Sequence, residues 1–303
     1  MQPTQPAPSA RQTAFSRLAP NAQAILLILG AFFCFNAMDA TAKGVSLRVG
    51  PVPALWARYA GQALLVLIIV APRLRSVART NFPGMQLLRS IFLMCATVSF
   101  FVGITHIGLA EATAIMDLNP VFITLGAALF LGEKIGPRRV AGIGVAMVGA
   151  LIVIRPGGDV FSPWALMPLS AAFFYSAYMI ATRYVGRAED PWTSLLYTAL
   201  FGAVIISCAL PWFWQPLDGT TLALMGLITV LGTTGQLLLI RALVAGEASM
   251  LAPFSYIGLI FATFWGAVAF DEWPDRWTIL GALVIVGSGL YVWHREHRAP
   301  PRA

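Results

Sequence analysis

The sequence predicts an all-α integral membrane protein of ten transmembrane helices, arranged as two inverted five-helix repeats with both termini cytoplasmic. Three observations carry this: a composition too apolar for water, ten apolar runs of spanning length, and a strongly one-sided distribution of basic residues. Hydrophobic residues make up 58% of the 303-residue chain and charged residues 11%, where a soluble domain carries about 25% charge. So few charges cannot coat a globule of this size. Most of the surface must face lipid.

Apolar runs separated by charges and by Pro or Gly breaks place the helices at residues 22–42, 52–71, 85–105, 111–131, 138–154, 164–182, 192–214, 221–243, 249–270 and 277–293. Each approaches the ~20 residues that a helix needs to cross the hydrocarbon core. Residues 1–20, rich in Pro, Gln and Ala, read as a disordered cytoplasmic tail, and residues 294–303 as a second tail. The first run follows Arg11 and Arg17 and ends in Ala40-Thr41-Ala42, which has the outline of a cleaved leader. It is long enough to span, and the first repeat needs it as a helix. Short connections such as His106 to Ala110 and Asp271 to Arg276 force neighbouring helices to be antiparallel.

With the N-terminus inside, the cytoplasmic side receives Arg11, Arg17, Arg73, Arg75, Arg79, Arg89, Lys134, Arg138, Arg139, Arg183, Arg187, Arg241, Arg295, Arg298 and Arg302. The outer side receives Lys43, Arg48, Arg155 and Arg276, and Arg58 falls within a span. That accounts for all 20 basic residues and satisfies the positive-inside rule at every cytoplasmic loop. The net charge of +7 therefore reflects membrane orientation, and no nucleic-acid partner is implied. Cys34, Cys95 and Cys208 each lie in an apolar stretch without a CxxC pair, so they read as packing residues, not as a disulfide framework or zinc site.

Five spans per half give the two halves opposite topology, and a trace of duplication remains. Leu109-Ala110-Glu111-Ala112, an apolar run, Leu131-Gly132-Glu133 and Val140-Ala141-Gly142 are matched by Ala245-Gly246-Glu247-Ala248, an apolar run, Phe270-Asp271-Glu272 and Ile279-Leu280-Gly281. Between Gly108 and Gly157 an Ala-rich start, a mid-helix proline at Pro120, Leu131-Gly132-Glu133 and a Gly-rich following helix are together similar to the EamA-type branch of the drug/metabolite transporter superfamily. The second copy departs from the pattern by Asp271 in place of glycine and by an earlier proline, Pro253. The resemblance covers about residues 22–293. It implies two repeats, residues 21–157 and 158–293, around a central cavity that opens alternately to either side. It does not imply a substrate.

Ionisable groups inside spans are expensive and call for a partner or a task. Asp39 has Asn36 a turn before and Lys43 a turn after, so it reads either as half of an Asp39–Lys43 interfacial pair or, with Asn36, as cavity wall. Arg58 reads as an ion-pair partner of Asp39 or as a fork for a ligand carboxylate. Asp117 and Asn119 precede Pro120, where a lost backbone hydrogen bond frees carbonyls to meet a ligand or cation, and Asp117 is also a candidate proton carrier. Glu111 and His106 read as solvated loop residues. Glu133 reads as a partner of Lys134 or Arg138, and Arg241 as a partner of Glu247. Polar stripes of Ser170, Tyr175, Ser176 and Tyr178, of Thr233, Thr234 and Gln236, and of Ser255 and Tyr256, together with Trp265, serve either helix packing or a polar cargo. Gly142, Ala146 and Ala150 permit close helix approach on the fifth span.

No GxxxxGK[ST] loop occurs, so ATP hydrolysis is unsupported; no HExxH or GxSxG occurs either, and a membrane-embedded enzyme is disfavoured. No cofactor or resident metal is implied. The expected function is secondary transport of a small polar or zwitterionic metabolite across the cytoplasmic membrane, amino-acid-derived and including opine-type metallophores. Export is the habit of the resembled family. Uptake of a vitamin or nucleoside-type metabolite is the alternative. The expected partners are this small-molecule substrate and the bilayer, and a homodimer is compatible with the sequence.

Overall fold

The computed structural model describes residues 20–131, 137–155, 162–185, 189–245, 254 and 256–297. These are helical throughout, with short connections and, among the described residues, no strand. The helices are α1 (Pro20–Val49), α2 (Pro51–Val70), the one-turn α3 (Leu74–Val77), α4 (Pro83–Ile104), α5 (Leu109–Met116), α6 (Asn119–Leu131), α7 (Pro137–Ile154), α8 (Leu166–Val185), α9 (Pro191–Phe213), α10 (Gly219–Ala245), α11 (Ile257–Phe270) and α12 (Arg276–His297). Proline at the first turn starts α2, α4 and α9, where its missing N–H costs nothing. Six of these segments are long and apolar enough to cross a membrane, and α7, α11 and α12 add shorter apolar stretches. The chain is a multi-pass membrane protein.

Several boundaries depart from expectation. The first helix runs on to Val49, so Lys43 lies inside it and is buried, not at the interface. The span expected at 111–131 is broken at Asp117-Leu118 into α5 and α6. The arginine-rich loop after α2 folds into a 3-10 turn, Ala71–Arg73, and α3. At the C-terminus α12 continues to His297, so the expected tail is helical through that residue. Glu133, Lys134, Glu247, Pro253 and Ser255, and the side chain of Arg138, lie outside the described residues.

Packing is by antiparallel pairs. In α1 against α10, Phe35 covers Gly235 and the Met38 sulfur covers Gly232. In α2 against α9, the Tyr59 ring lies on Gly202 and Trp56 Nε1 donates to Ser207 Oγ at 3.0 Å. In α4 against α8, Gly103 meets Pro168 at one end and Arg89 meets Thr182 at the other. Two further sets complete the bundle: α10 and α9 flank α2 and α4 respectively, and α11 and α6 flank α1 and α8.

Without a hydrophobic drive in lipid, such contacts depend on small residues that let backbones approach. The closest is α7 against α12, where a Cβ on Gly281 would stand 2.6 Å from the Gly149 carbonyl oxygen and one on Gly149 would stand 2.9 Å from the Gly281 oxygen. Ala146 and Ala150 are buried on the same helix. Gly281→Ala is therefore expected to destabilise by about 1–3 kcal/mol through overpacking. Gly287→Ala, with nothing within 4 Å on the same helix, should stabilise slightly by helix propensity. Thermal unfolding in detergent separates them, and equal midpoints would refute the contact.

Two polar ties mark the two ends of the bundle. At one end Lys43, 2% exposed, donates to Glu272 Oε1 at 2.5 Å and to the Ile107 carbonyl at 2.9 Å, and the Leu109 amide donates to Glu272 Oε2 at 3.2 Å. Asp271, the left-handed residue that ends α11 at φ 56°, turns the chain so that Glu272 reaches them. A left-handed C-terminal residue is usually glycine and sometimes Asn or Asp, which explains why aspartate is tolerated at this place in the motif. Beside it Arg155 pairs with Asp275 at 2.7 Å, and His106 stacks on Trp164 at 3.7 Å. Glu111 is half-buried among these charges, not fully solvated.

At the opposite end Glu189 accepts from Thr80 Oγ1 at 2.5 Å, the Asn81 amide at 2.7 Å and Gln86 Nε2 at 2.6 Å. Burial raises this carboxyl, but those hydrogen bonds outweigh it and hold it below the ordinary glutamate range. Its contribution is complete at neutral pH and is lost only as pH falls through that lowered value.

Candidate functional site

Between the two ties the helices bring together most of the polar residues singled out in the sequence, in two groups. The first is Asp39, Arg58, Tyr175 and Tyr178. Asp39 and Lys43 do not pair, because Lys43 is occupied by Glu272. Nor do Asp39 and Arg58 form an ion pair within 4.0 Å, although the Arg58 charge acts on Asp39 and both act on the Tyr175 phenol. The Tyr175 and Tyr178 rings are 5.7 Å apart. Arg58 is half-buried, its Nη1 donates to the Met38 sulfur at 3.4 Å, and its guanidinium faces the rings of Tyr59 at 6.0 Å and Phe101 at 5.7 Å. A thioether is a weak acceptor. Among the described residues the guanidinium fork is thus left with aromatic faces and sulfur but no oxygen acceptor.

The second group lies at the break between α5 and α6. Asp117 ends α5, with its amide donating to the Thr113 carbonyl at 2.9 Å, and its Oδ2 is buried with no hydrogen-bond partner among the described residues. Asn119 begins α6, and Ser176 of α8 donates to both its carbonyl and its side-chain oxygen. Tyr256 lies within electrostatic reach of Asp117, with its hydroxyl against Gly289 of α12, where a Cβ would stand 1.8 Å away. Trp265 of α11 also has a buried indole N–H without a partner. Buried polar atoms are paired in the great majority of cases, and an orphan costs about 1–3 kcal/mol. Among the described residues, Asp117 Oδ2 and Trp265 Nε1 are two such orphans.

Asn36 is buried on α1, where its amide donates to the Phe32 carbonyl at 2.9 Å and its nitrogen faces Gly258 of α11. Gln236 is buried on α10 beside Gly235. Thr233 bonds back to the Thr229 carbonyl at 2.8 Å, whereas Thr234 is exposed and leaves the expected stripe. Ser170 likewise bonds locally, to the Met167 carbonyl at 2.8 Å.

Two residues were missed in the sequence. Tyr59, fully buried, lies beside Arg58 and donates to Thr97 Oγ1 at 3.0 Å. Its slot over Gly202 is a tertiary coincidence that no local pattern announces. Arg89, counted as a cytoplasmic loop charge, is 2% exposed inside α4. It donates to Thr182 Oγ1 at 3.0 Å, Gln86 Oε1 at 2.6 Å and Tyr178 OH at 3.3 Å. Its position four residues into an apolar span was the available signal. Through Tyr178 it connects the Glu189 tie with the Arg58 group.

The EamA-like transporter family matches residues 22–155 and again residues 162–293. The pseudopaline exporter of Pseudomonas aeruginosa is 31% identical over 86% of this chain and 93% of its own. A riboflavin transporter of Rhizobium johnstonii is 30% identical over 73% of each chain, and an S-adenosylmethionine uptake transporter of Rickettsia felis is 26% identical over 88% of this chain and 91% of its own. A solved crystal structure matches 92% of this chain and 99% of the other with a TM-score of 0.67 at 19% identity, a likeness of fold. The chain belongs to the EamA-like transporter family.

Proposed function

We propose that this transporter moves a small zwitterionic or polar metabolite, amino-acid-derived and of the kind that includes opine-type metallophores, out of the cell by alternating access. The observation that carries this reading is a pair of unsatisfied poles among the described residues: Arg58 without an oxygen acceptor and Asp117 Oδ2 without a donor. A guanidinium fork suits a carboxylate, and a buried carboxylate suits an ammonium group or a proton. Asn36, Asp39, Asn119, Tyr175, Tyr178, Gln236, Tyr256 and Trp265 complete the proposed binding or coupling set. Kinship with the pseudopaline exporter favours an opine-like cargo and export. Kinship with riboflavin and S-adenosylmethionine transporters favours the second reading, uptake of a vitamin or nucleoside-type metabolite.

The reading includes ten spans in two inverted repeats, residues 21–157 and 158–293, in the cytoplasmic membrane with both termini inside. Helix packing supports it. Numbering spans in each half from one to five, the first of one half packs on the third of the other, in both directions (α1 with α10, α8 with α4). The second spans pack together (α2 with α9), as do the fifth (α7 with α12). A two-fold axis in the membrane plane generates that reciprocity. The Lys43 tie is then the outer one and the Glu189 tie the inner one, and energy comes from an ion or substrate gradient.

Mass spectrometry of medium and cell extract, comparing a strain lacking the protein with one overproducing it, tests cargo and direction together. A carboxylate- and amine-bearing metabolite enriched in the medium only with the protein is the expected result. A metabolite drawn into cells would replace export by uptake. No change in either compartment, with the protein shown in the membrane of its native host, would refute the reading.

A further inference from the structure

We infer that the crevice between α9 and α10 at the Glu189 end binds one anionic phospholipid of the cytoplasmic leaflet, with Arg241 and Arg73 holding its phosphate. The leaflet rests on the orientation proposed above; the site itself does not. α9 and α10 are joined at the far end by residues 214–218, and each packs on α2. Towards the Glu189 end a groove of about 320 Å³ opens between them. Leu195, Leu237 and Ile240 wall it, continuous with the core that Val66, Val70 and Leu196 form beneath.

Its rim is basic. Arg241 is exposed and, among the described residues, makes no hydrogen bond or ion pair. Arg73 lies over the Trp192 ring at 5.4 Å. The acid at the rim, Asp190, is engaged: one oxygen accepts from the Trp192 amide at 2.9 Å to cap α9, and the other is 4.0 Å from Arg73. The groove is therefore lined by two guanidinium groups and one carboxylate that is already committed. A soluble anion would satisfy the arginines and leave the apolar wall wet. An acyl chain below a phosphate satisfies both, and basic pockets between helices on the cytoplasmic side suit anionic headgroups, with tryptophan at the headgroup level.

Native mass spectrometry of the purified full chain, with dioleoylphosphatidylglycerol or dioleoylphosphatidylcholine added, tests this. Phosphatidylglycerol should be retained as one preferred copy, and Arg241→Gln should weaken it about fivefold. An Arg73→Gln/Arg241→Gln double variant should abolish the preference. Arg75→Gln, an exposed arginine at the same end but outside the groove, should change nothing. Equal retention of the two lipids, retention unaltered in the double variant, or an equal loss in Arg75→Gln would overturn the site. The assay needs no cargo, so failure of transport in the flux experiment leaves its answer intact. A reporter on the C-terminus that reads outside would overturn the leaflet assignment alone.

Discussion

Arg58→Ala is expected to lower transport of the cargo by about 30-fold or more while the protein still folds. Removing one partner of a buried, hydrogen-bonded charge pair costs about 2–5 kcal/mol of binding, and each 1.4 kcal/mol is a factor of ten. Among the described residues Arg58 bonds only to the Met38 sulfur and faces the rings of Tyr59 and Phe101, so its loss breaks no ion pair within 4.0 Å, although Asp39 loses the nearby positive charge. The effect should therefore appear in flux more than in thermal stability. Arg58→Lys keeps the charge but not the planar two-pronged donor, and should recover only part of the activity. Asp117→Asn should leave folding intact, because Oδ2 makes no bond to lose, and should either abolish flux or uncouple it from a pH gradient. Proteoliposome flux with the metabolite identified by mass spectrometry is the measurement. Wild-type flux and KM in both Arg58→Ala and Asp117→Asn would remove these residues from the site.

Glu272→Ala should be the most destabilising single change at the Lys43 end, by about 3 kcal/mol or more, since it strands a buried ammonium. Lys43 is 3% exposed in its side chain and Glu272 33%. The reverse change, Lys43→Met, leaves a carboxylate that reaches solvent and still accepts from the Leu109 amide, so it should cost less. The double variant should be more stable than Glu272→Ala alone, because the stranded charge is gone. This order of thermal midpoints in detergent differs from that of an ordinary surface pair, for which both single changes fall within about 1 kcal/mol. Equal and additive effects of the two changes would refute the tie. The tie joins α1, the start of α5 and the end of α11, which in the proposed orientation closes the outer side.

Much of the fold could be read from local signals because the bilayer imposes a local rule. A helix satisfies its backbone within itself, so each apolar run of sufficient length announces a span without reference to any other. A loosened turn before Pro120 was readable, because proline removes a hydrogen bond wherever it sits in a helix, but the full break at Asp117-Leu118 into two helices was not. Kinship was readable in the stretch from Gly108 to Gly157. Lys43 was misjudged because i,i+4 neighbours are all that one strand of sequence displays, and Asp39 stood in view. Its actual partner is 229 positions away, brought round by the left-handed turn at Asp271.

The candidate site divides in the same way. The sequence by itself determined that Arg58, Asp39 and Asp117 lie in apolar segments, that Tyr175 and Tyr178 share another, and that the chain is a helical membrane protein. Only the tertiary structure decided which of these groups come near one another: Arg58 meets Met38 and Phe101, Arg89 meets Tyr178, and Asp39 with Tyr175, and Asp117 with Tyr256, come within electrostatic reach. The physical reason is the axial freedom of a helix in lipid. Hydropathy sets how deep a residue lies, but the direction its side chain takes is set by the small residues of neighbouring helices. Gly202 beneath Tyr59, Gly289 beneath Tyr256 and Gly149 against Gly281 are the contacts that choose it.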